Sequence, residues 1–87
     1  MTRYRLDYEL KARKQLRAIK DSRLRGALEA ALVGLMTDPR PPGCLKLVGF
    51  KDEWRLRVGE WRIVYRIDDG VLVVLVVAVA PRGGVYR

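Results

Sequence analysis

At 87 residues the chain has room for one domain, and a hydrophobic share of 49% is too high for a disordered tail. Eighteen Lys and Arg against ten Asp and Glu give a net charge of +8, which calls for a polyanionic partner: RNA, DNA, an acidic protein or an anionic membrane surface. One cysteine and no histidine exclude an intramolecular disulfide, the usual Cys/His zinc sites, Ser-His-Asp triads and histidine acid–base catalysis.

The N-terminal MTRYRLDYEL has no apolar core segment, so no signal peptide is expected and a cytoplasmic location follows. In that compartment Cys44 is a small apolar residue or, in the minor reading, a free reactive thiol. TRYRL (2–6) alternates, with Tyr4 and Leu6 on one face, and is expected to form a first strand. Asp7 can cap a helix from Tyr8 to about Ile19, and Asp21-Ser22 supplies a turn and a second cap. Leu24, Ala27, Leu28, Ala31, Leu32, Leu35 and Met36 then follow the i, i+3, i+4, i+7 pattern of a helix with one buried face. The loop DPRPPG (38–43) is too rich in proline to continue it.

A meander follows. A strand at Leu45–Val48 or at Trp54–Val58 leads to the turn Gly59-Glu60, the strand Trp61–Ile67, the two-residue turn Asp69-Gly70 and the strand Val71–Ala80. The last strand, VLVVLVVAVA, is too short to cross a bilayer as a helix and has no polar residue, so it belongs at the centre of a sheet. The expected fold is a single α+β domain over residues 1–87. Its N-terminal strand and two-helix hairpin precede a three-stranded antiparallel meander, making one four-stranded sheet with both helices on one face.

With Gly59-Glu60 as a two-residue loop, Val58 faces Trp61, Arg57 faces Arg62, Leu56 faces Ile63, Arg55 faces Val64, and Trp54 faces Tyr65. The apolar members share the helix-side face, while Arg55, Arg57, Arg62 and Arg66 share the other. Glu53 opposes Arg66 and explains that arginine as an ion pair. Arg57 opposite Arg62 is a like-charge pair that destabilises a hairpin unless an anion sits between, and the planar guanidinium fork suits phosphate. The simpler reading is a set of solvated arginines on a wet face. After the last strand come Arg82, Tyr86 and Arg87, leaving the sheet on the side of Arg62 and Arg57. Tyr86 is either a terminal aromatic tucked into a groove or a ring that stacks on a base.

The stretch KLVGFKDEWRLRVGEWRIVYRIDDGVLVVLVVAVAPRGGVYR (46–87) resembles the C-terminal half of RelE-type toxins, with the N-terminal strand and helical hairpin agreeing in order and length. The resemblance implies a ribosome-dependent mRNA endonuclease that cuts in the A site and inhibits translation, with no cofactor and no metal. It implies Arg55, Arg57, Arg62, Arg82 and Tyr86 as the catalytic set, with Lys46, Lys51, Arg66 and Arg87 as RNA-binding residues. Arg55 and Arg57 fill positions that are often lysine in the family, and arginine, with a pKa above about 12, is a poor base. Glu60, Asp52 and Glu53 stand as alternative bases. The expected partners are a cognate antitoxin, in a toxin–antitoxin hetero-oligomer, together with ribosome and mRNA, and no membrane. Two rival readings stay open: a ParE-type toxin that acts on DNA gyrase, and an RNA-binding module without catalysis.

Overall fold

A computed structural model describes residues 3–49 and 52–81 of the chain. The order is β1 (Arg5–Tyr8), α1 (Leu10–Ala18), α2 (Ser22–Gly34), β2 (Leu45–Lys46), β3 (Glu53–Val58), β4 (Trp61–Asp68) and β5 (Val73–Pro81). They form one sheet in the order β1-β5-β4-β3-β2, with β1 parallel to β5 and the other pairs antiparallel. The α+β class and the central place of the last strand agree with the sequence pattern.

The core lies between one sheet face and the two helices. Leu28, Leu32 and Leu35 from the leucine stripe meet Ala12 and Ile19 above Ile63, Tyr65, Val74, Val76 and Val79. Asp21 caps α2 as its sequence position indicates, its Oδ1 accepting from the N–H groups of Arg23 (3.0 Å) and Leu24 (3.3 Å). The preceding α1 ends where the Arg25 guanidinium donates to the freed carbonyl of Ile19, locking the helical hairpin.

Four local expectations give way to tertiary pairing. Asp7 does not cap α1. The first strand lies later than 2–6 and continues through Tyr8, because Asp7 pairs with Leu75 and Tyr8 with Val76 across the parallel β1–β5 ladder. Helix α1 therefore starts at Leu10, with Glu9 at the cap position and no side-chain cap bond. Both candidate strands before the Gly59 turn exist, so the sheet has five strands where four were expected. The added strand, β2, is a two-residue edge that pairs Leu45 with Arg55 and Lys46 with Trp54. Finally, Asp69-Gly70 is not a two-residue type I′ turn. Asp68 pairs with Val73, leaving a four-residue loop in which Asp68 Oδ1 accepts from Gly70 and Val71 and Leu72 takes the positive φ of 56°. That side-chain turn replaces the backbone turn, and β5 starts two residues later than the hydrophobic run.

Within β5 a bulge interrupts the ladder, with Val64 opposite Ala78 and Tyr65 opposite Val76. Before it, Val74 and Val76 point to the helices; after it, Val79 does. Val77, Ala78 and Ala80 pack instead on the outer face with Val64 and Leu47.

The proline loop is fixed at two points. The buried Tyr65 hydroxyl donates to the Pro39 carbonyl at 2.8 Å. Arg40 reaches Asp69 at 2.9 Å, Asp69 also accepts from the Tyr4 hydroxyl, and the Arg40 guanidinium lies 5.2 Å from the Trp54 ring centre.

Candidate nucleic-acid interface

The β3–β4 hairpin has the register that a two-residue turn imposes: Glu53 with Arg66, Trp54 with Tyr65, Arg55 with Val64, Leu56 with Ile63, Arg57 with Arg62 and Val58 with Trp61. Gly59 adopts φ 60° whereas Glu60 stays at negative φ, the pattern of a type II′ turn. Period-2 alternation then sends every arginine of the hairpin to the face away from the helices.

On that face the strands align in rows. At the turn end stand Arg57, Arg62 and Ala80; the next row is Leu45, Arg55, Val64 and Ala78; the third is Glu53, Arg66 and Leu75. Val64, Ala78 and Ala80 are buried and make a floor of short side chains beside the arginines. Arg57 is exposed, whereas Arg55 and Arg62 are half-buried along their stems. The Nε of Arg55 is buried and makes no hydrogen bond with any described residue. This is a donor aimed into a low-dielectric surface, where an acceptor gains most. Such a row can hold an anionic oxygen from two sides.

Arg66 is different. It binds Glu53 through Nε (3.1 Å) and a terminal nitrogen (3.0 Å), so the cross-strand ion pair expected from the sequence is present. Glu53 is thereby occupied, and Asp52 sits at the same end of the hairpin. Lys46 pairs with Trp54, on the opposite face from Arg55. A cavity of about 810 Å³ lies at this end too, lined by Lys46 and Arg66 and not by Arg55, Arg57 or Arg62. Arg40, which the sequence did not single out, also lines it. Only the fold brings residue 40 beside residues 66–71.

The described part of β5 reaches Pro81, paired to Trp61, one position from Arg62 and so beside the arginine row. Lys51, Arg82, Tyr86 and Arg87 lie outside the described residues.

The strongest electrostatic perturbations are away from the arginine row. Hydrogen bonds from Arg40, then from Tyr4, hold the Asp69 carboxyl below the usual carboxylate range, and the same bond to Asp69 raises Arg40. Burial, then the nearby Cys44 thiol, pushes the Tyr65 phenol well above its ordinary value. Among the described residues, no group of three or more His, Cys, Asp or Glu is placed to hold a metal ion, and no helix is long and apolar enough to cross a membrane.

This fold is that of a known class of small toxins. A family model described as the ParE toxin of the type II toxin–antitoxin system parDE matches residues 6–86, so the chain belongs to that family, within the RelE/ParE superfamily. Among solved structures, the toxin of the intact Escherichia coli RelBE toxin–antitoxin complex is 31% identical, with a TM-score of 0.78 over 90% of this chain and 95% of that one. The E. coli RelE toxin carrying two arginine-to-alanine changes, in complex with a peptide of its antitoxin RelB, is 32% identical, with a TM-score of 0.76 over 97% and 87%. The archaeal RelE–RelB complex of Pyrococcus horikoshii is 28% identical, with a TM-score of 0.73 over 97% and 99%. No curated protein sequence matches.

Proposed function

We propose that the protein is a metal-independent endoribonuclease toxin that cleaves mRNA in the ribosomal A site. The observation that carries this reading is the Arg57–Arg62 pair, directly opposed across the hairpin on a floor of short side chains. Directly opposed like charges repel, whereas a phosphate held by both turns the repulsion into attraction.

In the proposed reaction the 2′-oxygen attacks the adjacent phosphorus and the bond to the 5′-oxygen breaks. The products are a 2′,3′-cyclic phosphate and a 5′-hydroxyl. Arg57 and Arg62 clamp the scissile phosphate and oppose the charge that builds on its free oxygens, with Arg55 on the neighbouring row. Arg82, next after Pro81, is assigned to transition-state charge or the leaving oxygen, and Tyr86 to orienting the nucleotide. With Glu53 bound to Arg66 and Asp52 at the far end of the hairpin, Glu60 in the turn is the proposed acceptor of the 2′-hydroxyl proton. A single exposed carboxylate is a weak base, so the enzyme leans on the ribosome to align its substrate. The relatives solved with RelB antitoxins support a cognate antitoxin as the protein partner.

The test is 5′-end mapping of an mRNA on ribosomes with an empty A site, using wild type and Arg62→Ala. A cut within the A-site codon that the substitution abolishes is the expected result. An intact message with wild type, together with inhibition in a DNA gyrase supercoiling assay, would establish the second reading, which the ParE description of the matching family favours.

A further inference from the structure

The large cleft at the end of the sheet away from the Gly59 turn has no part in the proposed chemistry. Its nearest lining residue on β3, Trp54, is three residues along the strand from Arg57, or roughly 10 Å. At about 810 Å³ it is within the roughly 300–1,000 Å³ of ordinary ligand clefts. Two features separate it from the arginine row.

The first is its charge. On a body of net charge +8, this lining is balanced: Arg40, Lys46 and Arg66 against Asp52, Asp68 and Asp69. Moreover, Arg40 is held by Asp69 at 2.9 Å and Arg66 by Glu53 at 3.0 Å. A phosphate entering here would have to displace a carboxylate from each and would face three aspartates. The second feature is apolar surface. The remaining lining includes Trp54, Val71, Val73 and Leu75, with Val71 68% exposed. Beyond the cleft's edges stand Leu72, next to Val71, and Val48, two residues past Lys46 and 95% exposed. Large exposed aliphatic side chains beside a balanced set of charges suit a polypeptide and not a polyanion.

We propose that this cleft is the anchoring site for an extended, apolar segment of the cognate antitoxin, bearing an acidic side chain toward Lys46 and a basic one toward Asp52. The inference rests on the toxin–antitoxin pairing of the family and goes beyond it by separating the anchor from the arginine row. The lining on β3 and β4 stops at Trp54 and Arg66, three residues short of Arg57 and four short of Arg62, so a segment confined to the cleft leaves them uncovered. Affinity for the antitoxin and inhibition by it are therefore carried by different surfaces.

The experiment is calorimetric titration of the cognate antitoxin into wild type, Val71→Asn, Val48→Asn/Val71→Asn and Arg57→Ala. A short single-stranded RNA is titrated in parallel. Both valines are exposed, so circular dichroism of the variants should match wild type. The expected result is antitoxin binding at least tenfold weaker in Val71→Asn, weaker again in the double variant and within twofold of wild type in Arg57→Ala. RNA affinity should be unchanged by the valine substitutions. Antitoxin binding that is unaltered in both valine variants would overturn the cleft while leaving the pairing intact. Loss of RNA affinity in those variants would also overturn it, by making the cleft a nucleic-acid surface. No binding to wild type would remove both the pairing and the anchor.

Discussion

The Tyr65 hydroxyl gives the sharpest quantitative test of how the proline loop is held. Tyr65 is fully buried and its hydroxyl donates to the Pro39 carbonyl at 2.8 Å, joining the sheet to the loop that carries Arg40. Replacing it with Phe keeps the ring in the core and deletes the donor. The bond itself contributes about 1 kcal/mol net, and stranding the carbonyl of buried Pro39 adds at least about 1 more. A total near 2 kcal/mol in a domain of this size lowers Tm by roughly 8–16 °C. Thermal and urea unfolding followed by circular dichroism would show this, with an unchanged urea slope. A pH series adds a second check. The folded phenol is raised above its ordinary value of 10.0, so the native state holds its proton where the unfolded chain has lost it. The resulting stabilisation is full below pH 10 and declines as pH rises through and above 10, by at most about 1.4 kcal/mol per unit. Because Tyr65→Phe lacks this group, its deficit relative to wild type should narrow by about 1 kcal/mol between pH 10 and 11. A deficit below about 0.5 kcal/mol at neutral pH, or one that stays flat into alkali, would refute the account.

Replacing Arg57 with Thr should raise stability by about 0.2–1 kcal/mol while abolishing A-site cleavage, since it removes one of two opposed like charges. In 1 M NaCl, where the screening length is about 3 Å, that gain should largely vanish in denaturation experiments. Gly59→Ala meets no atom within 4 Å of the added Cβ, so its cost is the left-handed backbone alone, about 1–2 kcal/mol by urea denaturation. Gln15→Leu removes the acceptor that α1 supplies to the Val79 amide at 2.7 Å, where β1 no longer reaches β5. A loss of about 1–3 kcal/mol, with faster hydrogen exchange at Val79 than at Val74, is the expected result.

The hairpin was legible because one turn of known length, followed by strict alternation, fixes every partner; no distant residue takes part in that decision. The same holds for the leucine stripe of α2 and for Asp21, whose cap bonds close within three residues. The errors have a common cause. Asp7 has a helix-capping side chain, yet its backbone is claimed by Leu75, 68 positions away. Asp69-Gly70 carries a hairpin signature, but Asp68 captures the turn first. Strand β2 stood in the sequence only as an alternative to β3, and the two coexist because β3 offers it an edge. The distal cleft was invisible for the same reason: Arg40, Lys46, Trp54, Arg66 and Val71 carry no shared motif and meet only through the sheet. The arginine row could be read from the sequence; the distal cleft could not.

The bulge in β5 sets the headroom of the arginine row. Had the strand kept strict alternation past Val77, Val79 would stand beside Arg62 and Ala78 and Ala80 would turn inward, leaving voids under the helices. The extra residue lets one uniform apolar strand present methyl groups on the side where a sugar–phosphate chain would lie and a bulkier isopropyl group on the side that must be filled. Deleting Val77 would remove the bulge and join Val64–Ala78 and Tyr65–Val76 in one regular ladder, keeping Ala78 and Ala80 beside the arginines and Val79 under the helices.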